Sequence, residues 1–317
     1  RGGEIFSENV DGIRPRRYNK SMEIDVYFIA GQSNASGYSL FREEDVTDPA
    51  LFAGYDYVLY AGNSRCADAE RRAVNRVLPL CKTKIGYGYD QRHFGPEAGM
   101  AQAFSAEYNE KSGKKACIVK YAAGGTSLLD SLEGSNACEG NWTPPSYALA
   151  FGAKDGRTGG LYRRFMAQAA AAYAELVGAG YSPRACGLYW MQGEDDRAEP
   201  EEYARAFPFL AADFRRDLGA LFGADLSGMP LLAGEISRTF AWFEDADLET
   251  NARFIGMQNG LEELREVYVV KNSVFDMVKE IGGEKKVVGT DAAHWNYADA
   301  LAIGRLVGEK FLQVRRK

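Results

Sequence analysis

Apolar segments typical of strands alternate with amphipathic segments typical of helices along most of this 317-residue chain. Short apolar runs that end in small polar residues predict strands at 24–30, 116–122, 185–190, 230–234 and 266–271. Longer runs with helical spacing predict helices at about 96–113, 160–180, 199–221, 247–265 and 297–314. Strands separated by helices form βαβ units, in which helices cover both faces of a parallel sheet. The pattern predicts an α/β fold, a three-layer α/β/α sandwich around a central, mostly parallel sheet.

The sequence gives no sign of a division into several domains. It contains no internal repeat, no low-complexity tract and no linker-like change in composition. We therefore expect one domain over residues 1–317, with its core at about 22–314 and an N-terminal extension at 1–21. Two stretches, 38–95 and 128–158, interrupt the alternation of strands and helices, and we expect them to be long irregular insertions.

Charge and cysteine content exclude several classes of partner. The formal net charge of −6 argues against nucleic acid or an anionic membrane, since neither supplies cations for the excess carboxylates. No apolar run approaches the roughly 20 residues needed to span a bilayer. The five cysteines show neither the CxxC nor the Cys/His spacing of a zinc site, so we expect no metal and no cofactor. Cys66 and Cys81 lie in a loop-rich region and are a candidate disulfide pair.

Three polar motifs follow three of the predicted strands directly. They are "GQSN" at 31–34, "AGGTS" at 123–127 and "MQGEDD" at 191–196. In open α/β sheets, ligands bind beyond the carboxyl ends of the strands. The three motifs therefore predict a functional site at one edge of the sheet.

Ser33, in the first motif, has two interpretations. A serine at a strand end before a helix can be a nucleophile, because free backbone N–H groups there stabilise negative charge. A serine in that position also commonly caps a helix. The G-x-S-x-G pattern of α/β-hydrolases is absent, since Ala35 stands where the second glycine would be. The stretch alone leaves both interpretations open.

A base for such a serine must come from one of only two histidines, His93 and His294. Asp291 precedes His294 by three residues, and Asp90 precedes His93 at the same spacing. Either carboxylate can accept a hydrogen bond from imidazole Nδ1 and leave Nε2 free to take a proton. The spacing does not choose between the two pairs.

The other two motifs supply candidate hydrogen-bond donors and acids. Gly124 allows a backbone N–H to approach a ligand closely, and Gln192 has an amide donor at a strand end. Glu194 and Asp196 could form the carboxylate pair of a glycosidase, but acidic residues before a helix also stabilise its N-terminus. A serine, a base held by a carboxylate and two donors for an oxyanion are together what acyl transfer requires.

The motifs "GQSN", "AGGTS", "WMQGEDD" and "DAAH" (291–294) resemble, in order, the four blocks of the SGNH-hydrolase superfamily. The resemblance runs from about residue 24 to 310 and is strongest to the sialate O-acetylesterase-like branch. That branch includes the acetylxylan esterases of carbohydrate esterase family six. The resemblance implies a flavodoxin-like SGNH-hydrolase fold for this chain.

The resemblance also implies roles for individual residues. Ser33 is the expected nucleophile, His294 the general base and Asp291 the acid that orients it. The expected oxyanion hole consists of the Ser33 N–H, the Gly124 N–H and the Gln192 side chain. It is the match of the last block that favours His294 over His93.

Two further residues and one departure belong to the same comparison. "FGPE" (94–97) also resembles a segment of this branch, and Glu97 and Glu194 are expected to support the site from behind. Asp195 stands where a small residue such as serine is common in the family. The two insertions follow no family pattern, so the resemblance specifies the chemistry better than the substrate.

These inferences predict a serine carbohydrate O-acetylesterase that acts through an acetyl-enzyme. Xylan-type polysaccharide is the favoured acetylated substrate, with O-acetylated sialic acid and mannan as alternatives. A non-catalytic glycan-binding relative and a glycoside hydrolase that uses Glu194 and Asp196 are the competing classes of function.

Overall fold

A mixed sheet of eight strands lies at the centre of the structure. The structure is a computed structural model, and it describes residues 22–67, 73–77, 80–130 and 140–315, with the backbone alone at 63–67 and 73–77. The predicted N-terminal extension 1–21 lies outside the described residues, as does part of the second predicted insertion.

The strands are, in chain order, β1 (Met22–Gly31), β2 (Ser39–Leu40), β3 (Tyr55–Ala67), β4 (Ala73–Val77), β5 (Cys81–Thr83), β6 (His93–Phe94), β7 (Lys115–Ala122), β8 (Tyr181–Met191), β9 (Leu231–Gly234), β10 (Val267–Val270), β11 (Val278–Ile281) and β12 (Glu284–Val287). The α-helices are α1 (Ser33–Ser36), α2 (Ala50–Ala53), α3 (Pro96–Phe104), α4 (Pro145–Phe151), α5 (Gly160–Gly178), α6 (Pro200–Phe222), α7 (Asp245–Gly260) and α8 (Tyr297–Val314).

The order of strands in the sheet is β10-β9-β8-β1-β7-β3-β4, and β5 also pairs with β3. Neighbours from β10 to β3 run parallel, whereas β4 and β5 are antiparallel to β3. The strands β7, β1, β8, β9 and β10, numbered along the chain, follow the flavodoxin-like order 2-1-3-4-5. The predicted α/β fold with a mostly parallel sheet is therefore confirmed.

Two neighbouring residues of β1 show that helices cover both faces of the sheet. The Tyr27 ring packs against Phe104 of α3 and Phe311 of α8, at centroid distances of 4.5 and 5.1 Å. The Phe28 ring packs against Phe165 of α5, at 5.9 Å. Since successive side chains of a strand point to opposite faces, α3 and α8 form one outer layer and α5 lies in the other.

The prediction for the stretch 38–95 is wrong in part. It contains β2 to β6 and α2, and β3 joins the central sheet in parallel with β7. The apolar residues of β3 are interrupted by Asp56 and flanked by Gly54 and Gly62, which conceals the strand in the sequence. What resembles an insertion is thus, for its middle third, a part of the sheet.

The first predicted helix is shorter than expected, because α3 ends at Phe104 and turns follow it up to Gly113. Ser112 Oγ donates to Glu107 O at 2.6 Å, and Asn109 Nδ2 donates to Ser105 O at 3.1 Å. Short polar side chains that bond the nearby backbone compete with helical hydrogen bonds.

Two smaller predictions can also be compared with the structure. Cys81 is a free thiol, with its sulfur 3.4 Å from the Tyr87 hydroxyl oxygen. Its candidate partner Cys66 lies where only the backbone is described. Across the described ranges, no helix combines the length and the apolar character needed to cross a membrane.

Helices α3 and α8 pack closely because glycines face one another at their contact. A Cβ atom on Gly304 would overlap Pro96 O and lie 2.8 Å from the Cα of Gly99. Such a position has no space for a side chain unless the helices move apart. The contact also affects the position of the segment that carries Asp291 and His294, because α8 begins directly after it.

We predict that Gly304→Ala destabilises the fold by about 1–3 kcal/mol, because the added methyl group overpacks the contact between α3 and α8. Gly256→Ala in α7 is the matched control, since no atom lies within 4 Å of a Cβ there. We expect that change to stabilise by about 0.5–1 kcal/mol. Urea unfolding of both variants measures the difference, and equal changes would contradict the proposed contact.

Candidate active site

The end of β1 is locked to the end of β8 before the chain enters α1. Gln32 N donates to Met191 O at 2.9 Å. Gly31 has φ +137°, and a Cβ atom there would overlap Met191 O. Only glycine fits this close approach, so the first motif leaves the sheet at a defined point beside the third motif.

Ser33 is the first residue of α1, and it is buried, with 8% of its surface exposed. Gln32 occupies the cap position and makes no side-chain cap hydrogen bond. The interpretation of Ser33 as a helix cap is therefore wrong. A Cβ atom on Gly124 would lie 3.2 Å from Ser33 Cβ, so the second motif lies directly against Ser33.

Asp291 and His294 form the pair that their spacing predicts. His294 Nδ1 lies 2.8 Å from Asp291 Oδ2 and 2.9 Å from Oδ1. Ala293 N donates to Asp291 Oδ1 at 2.7 Å, and Thr290 N donates to His294 O at 2.8 Å, which fixes the turn. Partial burial raises the pKa of Asp291, but the hydrogen bond and charge of His294 outweigh it and hold this pKa below its usual value.

The side-chain amide of Asn34 connects this turn to the other motifs. Asn34 Nδ2 donates to Glu194 Oε1 at 2.7 Å and to Ala293 O at 3.1 Å. One amide group therefore joins α1, the third motif and the residue that precedes His294. Sequence reasoning did not assign a role to Asn34, although it is the last residue of the "GQSN" motif.

Gln192 connects the third motif to the second. It is fully buried, and its Nε2 has three acceptors within hydrogen-bond distance: Thr126 O at 3.1 Å, Gln32 Oε1 at 3.2 Å and a carboxylate oxygen of Asp196. Asp196 in turn accepts from Leu128 N at 2.9 Å. The amide hydrogens of Gln192 thus point into the protein in this structure, and they hold the loop that contains Gly124.

Glu194 and Asp196 are both fully buried, and their pKa values differ from the ordinary ones. Burial raises the pKa of Glu194 to about 7, although the hydrogen bond from Asn34 opposes the shift. Burial also raises the pKa of Asp196 to about 6, against hydrogen bonds from Ser127 and the backbone. Since both carboxyl groups are enclosed and engaged internally, the structure gives no support to their use as a glycosidase pair.

The rival pair of Asp90 and His93 is also formed. His93 Nδ1 lies 2.6 Å from Asp90 Oδ1. A row of rings connects the two histidines: Tyr38 stacks on His294 at 4.7 Å and contacts Tyr89 at 4.8 Å, and Tyr89 meets His93 edge-on at 5.8 Å. His294 is the one whose turn is held against α1 through Asn34.

Glu97 lies behind α1, at the start of α3, and it is fully buried. Its Oε2 lies 2.9 Å from Nζ of Lys120, which is also fully buried, on β7. Lys120 Nζ donates to Ser36 O, the last carbonyl of α1, at 2.8 Å. Sequence reasoning missed Lys120, and the available signal was a lysine within the apolar run "ACIVKYA".

In the part of the chain that the structure describes, no three His, Cys, Asp or Glu side chains are grouped to hold a metal ion. The groups present at this edge of the sheet are a hydroxyl, an imidazole and a carboxylate, next to a glycine backbone. Such an arrangement can transfer an acyl group.

Solved structures similar to this one share its fold at low sequence identity. NanS is 16% identical, with a TM-score of 0.61 over 93% of this chain and 99% of that protein. A protein from Arabidopsis thaliana is 17% identical, with a TM-score of 0.56 over 92% and 98%. A carbohydrate acetylesterase from Xanthomonas citri is 17% identical, with a TM-score of 0.53 over 92% of this chain and 55% of that one.

The sequence comparisons identify the family. None of the curated proteins is significantly similar to this chain in sequence. The model of the family described as carbohydrate esterase, sialic acid-specific acetylesterase, matches residues 23–313. The chain therefore belongs to the sialic acid-specific acetylesterase family of carbohydrate esterases, and it is a carboxylic ester hydrolase.

Proposed function

We propose that this protein is a serine O-acetylesterase that removes acetyl groups from a carbohydrate through a Ser33–His294–Asp291 triad. The observation that carries the proposal is the bridge made by Asn34, the neighbour of Ser33. Its amide donates to Ala293 O, the carbonyl next to His294, and so holds the Asp291–His294 turn against the start of α1. A base oriented by a carboxylate and held beside a buried serine is the arrangement that activates a hydroxyl.

The reaction proceeds in two halves. His294 Nε2 takes the proton of Ser33 as Oγ bonds to the acetyl carbonyl carbon, and the carbonyl electron pair moves to oxygen. His294 then gives that proton to the sugar oxygen as the ester C–O bond breaks, which leaves acetyl-Ser33 and a free sugar hydroxyl. Water, activated by the same imidazole, hydrolyses acetyl-Ser33 to acetate.

The oxyanion in this reaction is assigned to the Ser33 and Gly124 N–H groups, with Gln192 as a third donor. The closeness of Gly124 to Ser33 supports the first two assignments. Direct donation by Gln192 requires its amide to turn away from its partners Thr126 O, Gln32 Oε1 and Asp196. Oxyanion donors of this kind contribute about 3 kcal/mol each to transition-state stabilisation.

The substrate is proposed at two levels. Acetylated carbohydrate follows from the family, and within it xylan-type polysaccharide is the first candidate, since the resembled branch includes acetylxylan esterases. The family description, sialic acid-specific acetylesterase, favours O-acetylated sialic acid as the second candidate.

We predict that Ser33→Ala lowers acetate release by about 10³-fold or more, because no nucleophile then remains. Ser36→Ala is the matched control, since Ser36 is a buried serine of the same helix, and we expect it to retain activity. Both variants and the wild type are assayed on p-nitrophenyl acetate and on acetylated xylan, mannan and sialic acid.

Activity that survives in Ser33→Ala refutes the triad, and glycan binding without turnover by the wild type indicates a non-catalytic relative. Reducing sugar released from deacetylated glycan indicates a glycoside hydrolase.

The two histidines can be separated by the same assay. We expect His294→Ala to lose about 10³-fold or more in kcat. His93→Ala should keep most of its activity, because the Asn34 amide holds the turn of His294 against α1 and not that of His93. Asp291→Asn is expected to lower kcat strongly, since the carboxylate that orients His294 is lost. A larger loss in His93→Ala than in His294→Ala would reverse the assignment.

Glu194 predicts a pH dependence of stability. Its pKa is raised to about 7, so its contribution to folding is present below about pH 4.5 and is lost as pH rises through 7. Glu194→Gln mimics the protonated acid and still accepts from Asn34. Between pH 5 and 8, we therefore expect the free energy of unfolding of the wild type to fall by up to about 3 kcal/mol relative to that of this variant. Glu249→Gln, at an exposed position of α7, controls for the loss of a carboxylate, and urea unfolding at each pH gives the values. A pH-independent difference would contradict the raised pKa.

A further inference from the structure

Lys120 is a fully buried lysine whose ammonium group has three polar neighbours. Nζ donates to Ser36 O at 2.8 Å and to Tyr87 O at 2.9 Å, and it lies 2.9 Å from Glu97 Oε2. The contact with Glu97 is an ion pair between two fully buried side chains. An ammonium has three N–H donors, of which the two carbonyl oxygens accept two, and the Glu97 carboxylate balances its charge.

Burial of such a group is costly unless it is fully partnered. Desolvation lowers the pKa of Lys120, and the charge of Glu97 opposes the shift. An ion pair in the interior contributes little stability compared with apolar side chains of the same size. The arrangement therefore calls for an explanation other than stability alone.

The explanation lies at the C-terminal end of α1. This helix has a single turn, closed by Gly37 N donating to Ser33 O at 2.8 Å, and its last carbonyls have no partners within the helix. A cation is favourable at such an end, and Lys120 occupies that position by binding Ser36 O. Ser33 at the other end of the turn is only three residues away.

The same pair also fixes the chain that lies beside α1. Glu97 Oε1 accepts from Gly95 N at 3.0 Å, and a Cβ atom on Gly95 would lie 3.0 Å from Ala35 O. Gly37 has φ +105° and is so close to Phe94 and Gly95 that it has no space for a side chain. The pair therefore holds α1 between β7 and the start of α3.

We propose that Lys120 is a positioning residue for the nucleophile: its ammonium fixes the orientation of the Ser33 helix relative to β7. The inference rests on the proposed function, in which Ser33 is the nucleophile. Gly124 follows Lys120 by four residues on the same strand end, so one element sets the position of both Ser33 and the oxyanion donor. Misplacement by about 1 Å can lower a rate by about 100-fold.

The test separates position from charge balance by means of two variants. Lys120→Met alone leaves Glu97 as an uncompensated buried charge, and we expect a lower Tm as well as lower activity. The double variant Lys120→Met/Glu97→Gln removes both charges. We expect it to regain most of the lost Tm but to keep a kcat about 10–100-fold below wild type on p-nitrophenyl acetate, with KM within about twofold.

A direct measure of Ser33 accompanies the kinetics. The rate at which an aryl phosphonofluoridate labels Ser33 should fall in parallel with kcat, since labelling reports the same hydroxyl. Lys115→Met is the matched control: Lys115 lies at the opposite end of β7, with Nζ 3.2 Å from the Tyr181 hydroxyl. We expect its kcat and labelling rate to equal those of the wild type.

Each outcome decides the inference. A double variant whose kcat and Ser33 labelling rate both equal those of the wild type overturns it, because the contact with Ser36 O is then dispensable. A double variant that does not fold at any temperature also overturns it, because Lys120 is then a structural residue. Failure of the proposed function is a separate result, since it appears as activity that persists in Ser33→Ala whatever the Lys120 variants do.

Discussion

The candidate site depends on one side-chain amide that joins three distant parts of the chain. Asn34 follows Ser33 in α1, and its Nδ2 donates both to Glu194 after β8 and to the carbonyl of Ala293 before α8. None of these segments is near another in sequence. Because an amide nitrogen has two hydrogens in a fixed plane, satisfying both acceptors restricts the relative positions of all three segments. The distance between Ser33 and the Asp291–His294 turn follows from that restriction.

Buried polar groups behind the candidate site also restrict the relative positions of its segments. Gln192 and Asp196 hold the loop of Gly124 from one side, and Lys120 with Glu97 holds α1 from the other. Hydrogen bonds in such an enclosed region are strong, and an unsatisfied group there is costly, so the alternatives to the observed arrangement are few. This packing holds the backbone at the edge of the sheet in one arrangement, which is what the proposed oxyanion hole requires.

The sequence predicted the elements whose signals are local. Strand ends followed by "GQSN", "AGGTS" and "MQGEDD" indicated the edge of the sheet where these residues meet, and the spacing of Asp291 and His294 indicated their contact. The strand β3 was missed because glycines and Asp56 break its apolar pattern, and its pairing with β7 is a long-range contact. Asn34 and Lys120 were missed for the same reason, since their partners become neighbours only when the sheet is assembled.

The segment 38–95 lies within the range that the family model matches, and it reaches the centre of the candidate site. The ring of Tyr38 lies between those of His294 and Tyr89, and a Cβ atom on Gly124 would lie 3.0 Å from the Tyr38 hydroxyl. The segment therefore contributes to the wall beside the base and beside the glycine at the same time. Because β3 of the same segment pairs with β7, which leads to Gly124, the segment is joined to the sheet as well as to this wall. In the proposed function, the rings of Tyr38 and Tyr89 therefore shape the space beside the base, whereas Ser33, Gly124 and His294 supply the chemistry.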